Sequence, residues 1–510
     1  MKALLLFPQT ETTYGLPNYP PLGLAYLSGI LKERNIEHDI LDLRLYKNWK
    51  ELLISKLKDN NYMIAGMAST VFDHPSAKEL ASIIKENSPE TKVIVGGAHP
   101  TLVKEKILKE DKNFDFVLVG EGELTFSELC DSLINKRSLD NIKGLVFRKD
   151  NKIIKNEQRE LNNNLDELPF PNYEKFDLKK YHGDTSLRGI IKRKTIFPMS
   201  TSRGCPYSCT FCSVPVFTGK LFRIRSPENV INEMKILKEK YNVGKIDILD
   251  DNFTMNLERA KNICRLMIEN KINVKWSTPN GVRADRLDDE LVGLMKKSGC
   301  DDIAVGIESV DNDVLKKMKK GENIEAIERG IDLLKKNNIN IKGFFIIGSN
   351  GETKDTALKM LEFAKKHDFK QARFNMLIPY PGTEMASLIN DNNYWTVDNP
   401  EEELVKYTHI ADDIKPIYET PEFNSKDKVE VYKYMTKEWN EYELNKDWKR
   451  RFLLKLSNYG IVYSLLKNLR NRLKKKPTLF PMSCFTLRIK RKLIKLHITL
   501  KAEFNHSSEI

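Results

Sequence analysis

The chain reads as an α/β protein: an N-terminal doubly wound parallel sheet, then a second array of strand–helix units, then a helical basic C-terminal region. Three observations predict this. Short apolar runs alternate with amphipathic helical patterns up to about residue 140 and again from about 191 to 400, with a turn-rich stretch between. At 510 residues the chain is longer than one core supports, and roughly three domains are expected. Charge is uneven: residues 451–510 hold fourteen Lys and Arg against two Glu, so they carry nearly all of the net +13 and the rest is close to neutral.

The hydrophobic content of 40% against 30% charged residues describes a globular chain, not a disordered one. No uninterrupted apolar run reaches the roughly 18 residues that a spanning helix needs. The start is short and runs into Pro8, which suits a first strand better than a signal peptide. Of seven cysteines, Cys130, Cys264, Cys300 and Cys484 stand singly, which argues against a disulfide framework and for a reducing, cytoplasmic setting. Cys130, Cys264 and Cys300 read as small core residues.

In the first domain (1–140), strands at 3–7, 39–43, 63–67, 93–95 and 116–119 alternate with helices at 22–34, 49–58, 77–87, 103–109 and 124–135. Ligands of such sheets bind beyond the strand carboxyl ends. The loops there cover 8–21, 68–76, 96–101 and 120–124, and their glycines let backbone approach a large planar ligand. The connector (141–190) shows a hairpin signature, with apolar runs at 144–148 and 152–154 around Lys149, Asp150 and Asn151. The turn-rich stretch 162–171 is expected to pack between the domains.

In the next segment (191–400), a strand at 196–200 leads into Cys205, Cys209 and Cys212. Further strands at 245–250, 273–278, 303–307, 341–347 and 372–377 alternate with helices at 227–240, 257–270, 288–297, 324–337 and 354–366, which predicts a parallel barrel-like sheet. Ser226 before Pro227 reads as a helix cap; Asp288 and Asp289 read as helix-start carboxylates. The final segment (401–510) mixes apolar and cationic residues. Cationic amphipathic helices lie well on anionic bilayers; a solvated face packed on the barrel is the equal alternative. Nucleic acid is not expected as a partner, because stacking aromatics are sparse in the tail.

Three thiolates within eight residues suit a soft metal centre. A structural zinc site normally takes four ligands, and no fourth Cys or His lies nearby. The CxxxCxxC spacing, with Phe211 before the third cysteine, resembles the radical SAM superfamily. That resemblance implies an open (β/α)6 barrel and a 4Fe-4S cluster on Cys205, Cys209 and Cys212, its open iron chelated by S-adenosylmethionine (SAM). It also implies SAM contacts from Phe211, from Asp250 or Asp251 at the methionine amino group, from Asn280 and Arg283 at the ribose or carboxylate, and from Glu308 at the ribose hydroxyls. A zinc or inert-thiol reading is the alternative.

The loop set of the first domain resembles the cobalamin-binding domain of one large radical SAM subfamily, the class B methyltransferase-like enzymes. The resemblance implies cobalamin contacts from Leu22, Gly23, Ser69, Thr70, Gly96, Gly97, His99, Pro100, Thr101, Glu121, Gly122, Glu123 and Thr125. The DxHxxG motif of better-known cobalamin proteins is missing. A cobalt with no histidine below it is therefore expected, with Ser69 and Thr70 covering that face and His99 at the corrin edge or in a structural hydrogen bond. A degenerate domain that lost its vitamin and serves as a lid is the alternative.

Together these resemblances imply that SAM is cleaved to a 5′-deoxyadenosyl radical and that an unactivated carbon is methylated, with cobalamin-assisted cyclisation or ring rearrangement as the alternative. A non-catalytic cofactor-binding protein is the reading from another class. Expected partners are an electron donor such as ferredoxin or flavodoxin, a small-molecule or lipid substrate, and a peripheral membrane contact through the tail.

Overall fold

The structure, a computed structural model, describes residues 2–9, 17–181, 195–406 and 414–446. The cationic tail beyond 446 lies outside the described residues. The strands are β1 (Lys2–Phe7), β2 (His38–Asp42), β3 (Tyr62–Ala68), β4 (Lys92–Gly96), β5 (Phe116–Leu118), β6 (Leu145–Lys149), β7 (Lys152–Lys155), β8 (Ile196–Met199), β9 (Ser202–Arg203), β10 (Arg223–Ile224), β11 (Lys245–Ile248), β12 (Lys275–Val282), β13 (Cys300–Glu308), β14 (Asn340–Ile347) and β15 (Gln371–Met376).

The first sheet runs β2-β1-β3-β4-β5-β6-β7. Its first five strands are parallel, and the order reverses where β1 lies between β2 and β3. A ligand crevice belongs at that switch, beyond the carboxyl ends of β1 and β3. The expected hairpin forms. β6 pairs antiparallel with β5, so the first sheet runs on to residue 155 with an antiparallel edge beside its parallel strands. Leu145, Val146 and Phe147 are all buried, as a strand covered on both faces requires.

The second sheet runs β8-β11-β12-β13-β14-β15, every neighbouring pair parallel, and among the described residues β8 and β15 do not pair with each other. This is the open (β/α)6 barrel, with strands in chain order because each helix carries the chain back one strand over. Ser226 caps the helix Pro227–Tyr241 by accepting from the Asn229 amide (3.2 Å), and Asp288 caps Asp289–Ser298 by accepting from Leu291 (2.7 Å). The helix expected at 103–109 is instead two short ones, Ala98–Val103 and Lys106–Glu110, broken at Lys104 with φ +52°.

Alternation along β1 ties the two sheets together. Ala3 and Leu5 join a core continuous with the barrel, whereas Leu4 and Leu6 face the other side of the first sheet. The turn-rich stretch fills the seam, as expected. A Cβ on Gly29, in the helix Leu22–Glu33, would stand 2.5 Å from the Phe170 carbonyl. Asn172 donates to the Ala25 carbonyl (2.9 Å) and to Ser28 Oγ (3.0 Å), and Tyr173 donates its hydroxyl to the Pro198 carbonyl on β8 (3.0 Å). The seam is thus held by main-chain contacts on one side and by the first barrel strand on the other.

Candidate functional site

The cysteine loop leaves β8 through a two-stranded ribbon, β9 against β10, with Arg203 directly opposite Arg223. Asp250, just past β11, holds the base of the ribbon. It accepts from the Thr201 amide (2.6 Å), the Thr201 hydroxyl and the Ser202 hydroxyl (2.6 Å). The next carboxylate, Asp251, accepts from the Gly204 amide (3.0 Å). Gly204 has φ +84° and a Cβ there would meet the Leu221 carbonyl, so only glycine fits. Farther along, the Thr210 amide donates to Met318 and the Met385 amide to the Thr210 carbonyl. The main chain of the loop is therefore fixed independently of its thiols.

Cys205, Cys209 and Cys212 are half-buried, whereas Cys130, Cys264 and Cys300 are buried. Burial raises all three loop thiols, Cys212 to about 12. Among the described residues no three His, Cys, Asp or Glu converge on one ion. Thiolates of a cubane each take a different iron and so stand farther apart than the ligands of a single ion. A soft donor set on a fixed, partly open loop fits an iron–sulfur cluster. Phe211 is half-buried and packs on the core beside the loop.

On the barrel side, Glu308 ends β13 with φ +67°, at a break in the β13–β14 register. A carboxylate side chain held in the left-handed region is a sign of a functional constraint. Its Oε1 accepts from Lys320 Nζ (3.1 Å). A Cβ on Gly306 would lie 2.5 Å from that oxygen and 3.1 Å from Nζ, so the glycine makes the room. Burial alone would lower Lys320; Glu308 and Glu322 raise it instead and keep it charged. The Thr210 amide donates to the Met318 carbonyl (3.0 Å), two residues from Lys320, so this pair adjoins the cysteine loop. Asn280 donates its amide nitrogen to the Leu249 carbonyl (2.9 Å), leaving the amide oxygen available. Thr278 has a buried hydroxyl with no partner on the same strand.

Two of the expected SAM contacts already have protein partners. The Asp250 carboxylate accepts three hydrogen bonds from the residues that open the ribbon. Arg283 is buried, donates to Asp285 and to the carbonyls of Lys320 and Gly321, and lies 3.8 Å over the Tyr207 ring. Each is a polar group at a strand end with neighbours of its own in the protein.

At the edge of the first sheet, a Cβ on Gly97 (φ +110°) would lie 2.8 Å from the Ser69 carbonyl, which also accepts from the His99 amide (3.3 Å). Ser69 donates to the Thr70 carbonyl (3.0 Å), and Thr70 donates to Asp73 (2.7 Å). The Thr101 hydroxyl donates to the Gly97 carbonyl (2.8 Å) and accepts from the Gly120 amide (3.0 Å). The His74 ring lies 4.4 Å from that of His99, and burial, with His99 and Lys78 adding, pushes His74 down to about 3. Pro100 is buried; Leu22 and Gly96 are half-buried.

Gly23 and Gly120 have nothing within 4 Å of a Cβ position, and Gln9, at the switch point, buries an unpartnered Oε1. Open space over glycines beside an unsatisfied amide fits a large planar ligand with amide side chains. A cavity of about 100 Å³ joins this edge to the segment after the cysteines, lined by Thr101, Gly120, Glu121, Arg159, Val216 and Phe217.

Three expected cobalamin contacts have protein partners of their own. Glu121 accepts from both Arg223 terminal nitrogens (2.8 and 2.9 Å) and pairs with Arg203 (3.1 Å), and Glu123 accepts from Arg203 (2.7 Å). Burial would raise Glu121, but Arg223 and Arg203 hold its carboxyl below the usual range. Thr125 is buried; its hydroxyl donates to the Lys143 carbonyl and accepts from Arg159. Glu121 and Glu123 join the first domain to the ribbon, and Thr125 ties the helix Gly122–Ile134 to Lys143 and Arg159.

Sequence reasoning passed over Arg203, Arg223, Lys320, Gln9 and Thr278. Arg203 carried a signal, since it stands two residues before the first loop cysteine; the others carried none that a single sequence shows.

The radical SAM superfamily model matches residues 199–364 and the B12 binding domain model matches 16–130. An uncharacterised methyltransferase of Pyrococcus horikoshii is 34% identical over 436 residues, covering 84% of this chain and 90% of the relative. The anaerobic magnesium-protoporphyrin IX monomethyl ester cyclase of Rubrivivax gelatinosus is 26% identical over 73% of this chain and 67% of its own. The solved structure of the radical S-adenosylmethionine methyltransferase TsrM from Kitasatospora setae, with cobalamin and a 4Fe-4S cluster bound, shares the fold. Its TM-score is 0.65 at 19% identity, covering 78% of this chain and 81% of that one.

Proposed function

This chain belongs to the radical SAM enzymes that carry a B12-binding domain, and from that premise we propose that it methylates an unactivated carbon of a small organic substrate. The observation that carries the reading is the single seam at which the cysteine ribbon and the first-domain edge meet, through Arg203, Arg223, Glu121 and Glu123. When bound, the 4Fe-4S cluster supplies the electron for SAM cleavage and cobalamin supplies a transferable methyl group. Residues 2–155 form the cobalamin domain in this assignment, and 195–400 the radical SAM core.

The chain's own part is holding and exclusion. Cys205, Cys209 and Cys212 hold the iron. Glu308 presents a carboxylate that accepts two ribose hydroxyls, and Lys320 donates to it (3.1 Å) while adding positive charge beside Cys209. Asn280 Oδ1 and the Thr278 hydroxyl complete the polar lining, with Asp251 next to the loop. Gly23, Gly97 and Gly120 leave room for the corrin, and Gln9 offers its amide oxygen to a corrin amide. A low-potential ferredoxin or flavodoxin is the proposed reductant, and the cytoplasm the proposed location.

Reconstituted protein, kept anaerobic and given SAM with a deuterated methyl group, is incubated with an extract of a strain deleted for the gene. A product carrying the labelled methyl group is expected. Glu308→Gln should raise the KM for SAM by about tenfold, equivalent to about 1.4 kcal/mol, with iron content unchanged. SAM cleavage with no labelled product would overturn the methyl transfer. The similarity to the Rubrivivax cyclase favours one second reading, oxidative cyclisation, in which the product loses hydrogens instead.

No described helix is long and apolar enough to cross a membrane. We propose that the basic segment 451–510 instead meets an anionic bilayer, where each basic residue near the surface adds about 1 kcal/mol. Sedimentation with phosphatidylserine liposomes should fall at least tenfold (about 1.4 kcal/mol) for a chain ending at Trp448. Equal binding by both chains would exclude the tail.

A further inference from the structure

We propose that Glu121, Glu123, Arg203 and Arg223 are positioning residues that couple cobalamin binding in the first domain to the geometry of the cluster loop. The inference rests on the functional reading above and adds a linkage that the reading does not require.

The charges belong to opposite domains and are almost withdrawn from water. Side-chain exposure is 2% for Arg223, 15% for Arg203, 16% for Glu121 and 12% for Glu123. Arg203 and Arg223 face each other across the β9–β10 ladder, where two like charges would repel. Glu121 lies between them and pairs with both. The ribbon therefore needs the first-domain carboxylate to hold its register, and a surface ion pair placed only for solubility would not show this arrangement.

A continuous line of fixed contacts runs outward in each direction. Towards the first-sheet edge, Glu121 follows Gly120, whose amide donates to Thr101, whose hydroxyl donates to the Gly97 carbonyl at the glycine loop. Towards the cluster, Arg203 is one residue from Gly204, whose amide donates to Asp251 and whose α-carbon has no room for a side chain against the Leu221 carbonyl, and Cys205 follows. Each step between the glycine loop and the first loop cysteine is a hydrogen bond, an ion pair or a peptide link. A ligand that orders one end restricts the other, and by linkage the effect must be reciprocal. A contact path alone is not coupling, so the test measures the coupling itself.

Full-length protein with its iron–sulfur cluster reconstituted is titrated with hydroxocobalamin, with and without SAM, under non-reducing conditions. Dialysis with labelled SAM gives the converse. In the wild type, each ligand should tighten the other by the same factor, at least about fivefold. The primary variant is Glu123→Gln, which leaves Arg223 paired with Glu121. There the factor should fall below about twofold while each separate affinity stays within about threefold, a pattern that a merely structural role would not produce. Glu123→Asp, which keeps a carboxylate beside Arg203, should retain most of it. Wild-type protein that binds both ligands with no mutual effect, or a Glu123→Gln protein with the full factor, overturns the coupling and leaves the functional reading standing. Wild-type protein that takes up no cobalamin overturns both.

Discussion

Cys209→Ala protein should fold, purify with no more than residual iron, and form no 5′-deoxyadenosine from SAM above a protein-free control. The loop around Cys209 does not depend on its thiol. Thr210 is tied to Met318 and Met385 through main-chain bonds, Gly204 to Asp251, and Arg203 to the first domain. Removing a half-buried sulfur therefore costs about 1 kcal/mol or less of folding stability, in the range of a small side-chain truncation. The metal loss is of another order. Two thiolates cannot hold a four-iron cubane that already takes only three, and no other described cysteine can step in, because Cys130, Cys264 and Cys300 are fully buried elsewhere. Iron should drop from about four per chain to well under one. The control is Cys264→Ala, which should keep its iron and its SAM cleavage. Near-normal iron in the Cys209→Ala protein would remove the cluster assignment and bring back the inert-thiol reading.

Much of this architecture is legible in the sequence, for a physical reason. Strand–helix alternation is local, and a chain of right-handed strand–helix units leaves little freedom for the order of the barrel strands. The cysteines and the glycine loops are legible because their chemistry is carried by residue type and spacing. Pairings between distant side chains are not. Glu121 and Glu123 stand in a glycine loop and look like ligand contacts; their partners are 80 and 102 residues away and nothing in the sequence joins them. Lys320 hides for a different reason. It follows Lys316, Lys317 and Lys319 in a run that reads as a solvated helix face, yet Lys320 alone of the four is buried, beside Glu308. Arg283 is the opposite case, since a cation at a strand end looks available, yet Asp285 and two carbonyls already accept from it. The hairpin was visible as a hairpin, but its strand partner was not, because edge pairing depends on which side of the sheet is free.

Asp250→Ala is the substitution that separates a scaffold carboxylate from a ligand. Asp250 is almost fully buried and receives three donors from the residues that open the cysteine ribbon. The hydroxyls of Thr201 and Ser202 can turn to other acceptors, but the Thr201 amide cannot. A buried amide left without a partner costs about 1–3 kcal/mol. Arg259 adds to the loss. Its charge is opposed by burial and supported by Asp250, and it holds the Thr201 and Arg225 carbonyls. The alanine variant should therefore unfold at lower denaturant by about 3 kcal/mol and lose cluster on dilution. Asp250→Asn keeps an oxygen for the Thr201 amide and should cost about half as much. In both, the fraction of protein that retains cluster should bind SAM within about twofold of the wild type, a difference of about 0.4 kcal/mol. A direct contact to the methionine amino group predicts the reverse: normal stability with SAM affinity reduced by ten times or more, because a charge-assisted hydrogen bond to the ligand would be gone. Stability and SAM affinity therefore change in opposite order under the two roles. Denaturation and equilibrium dialysis on the same two variants decide between them.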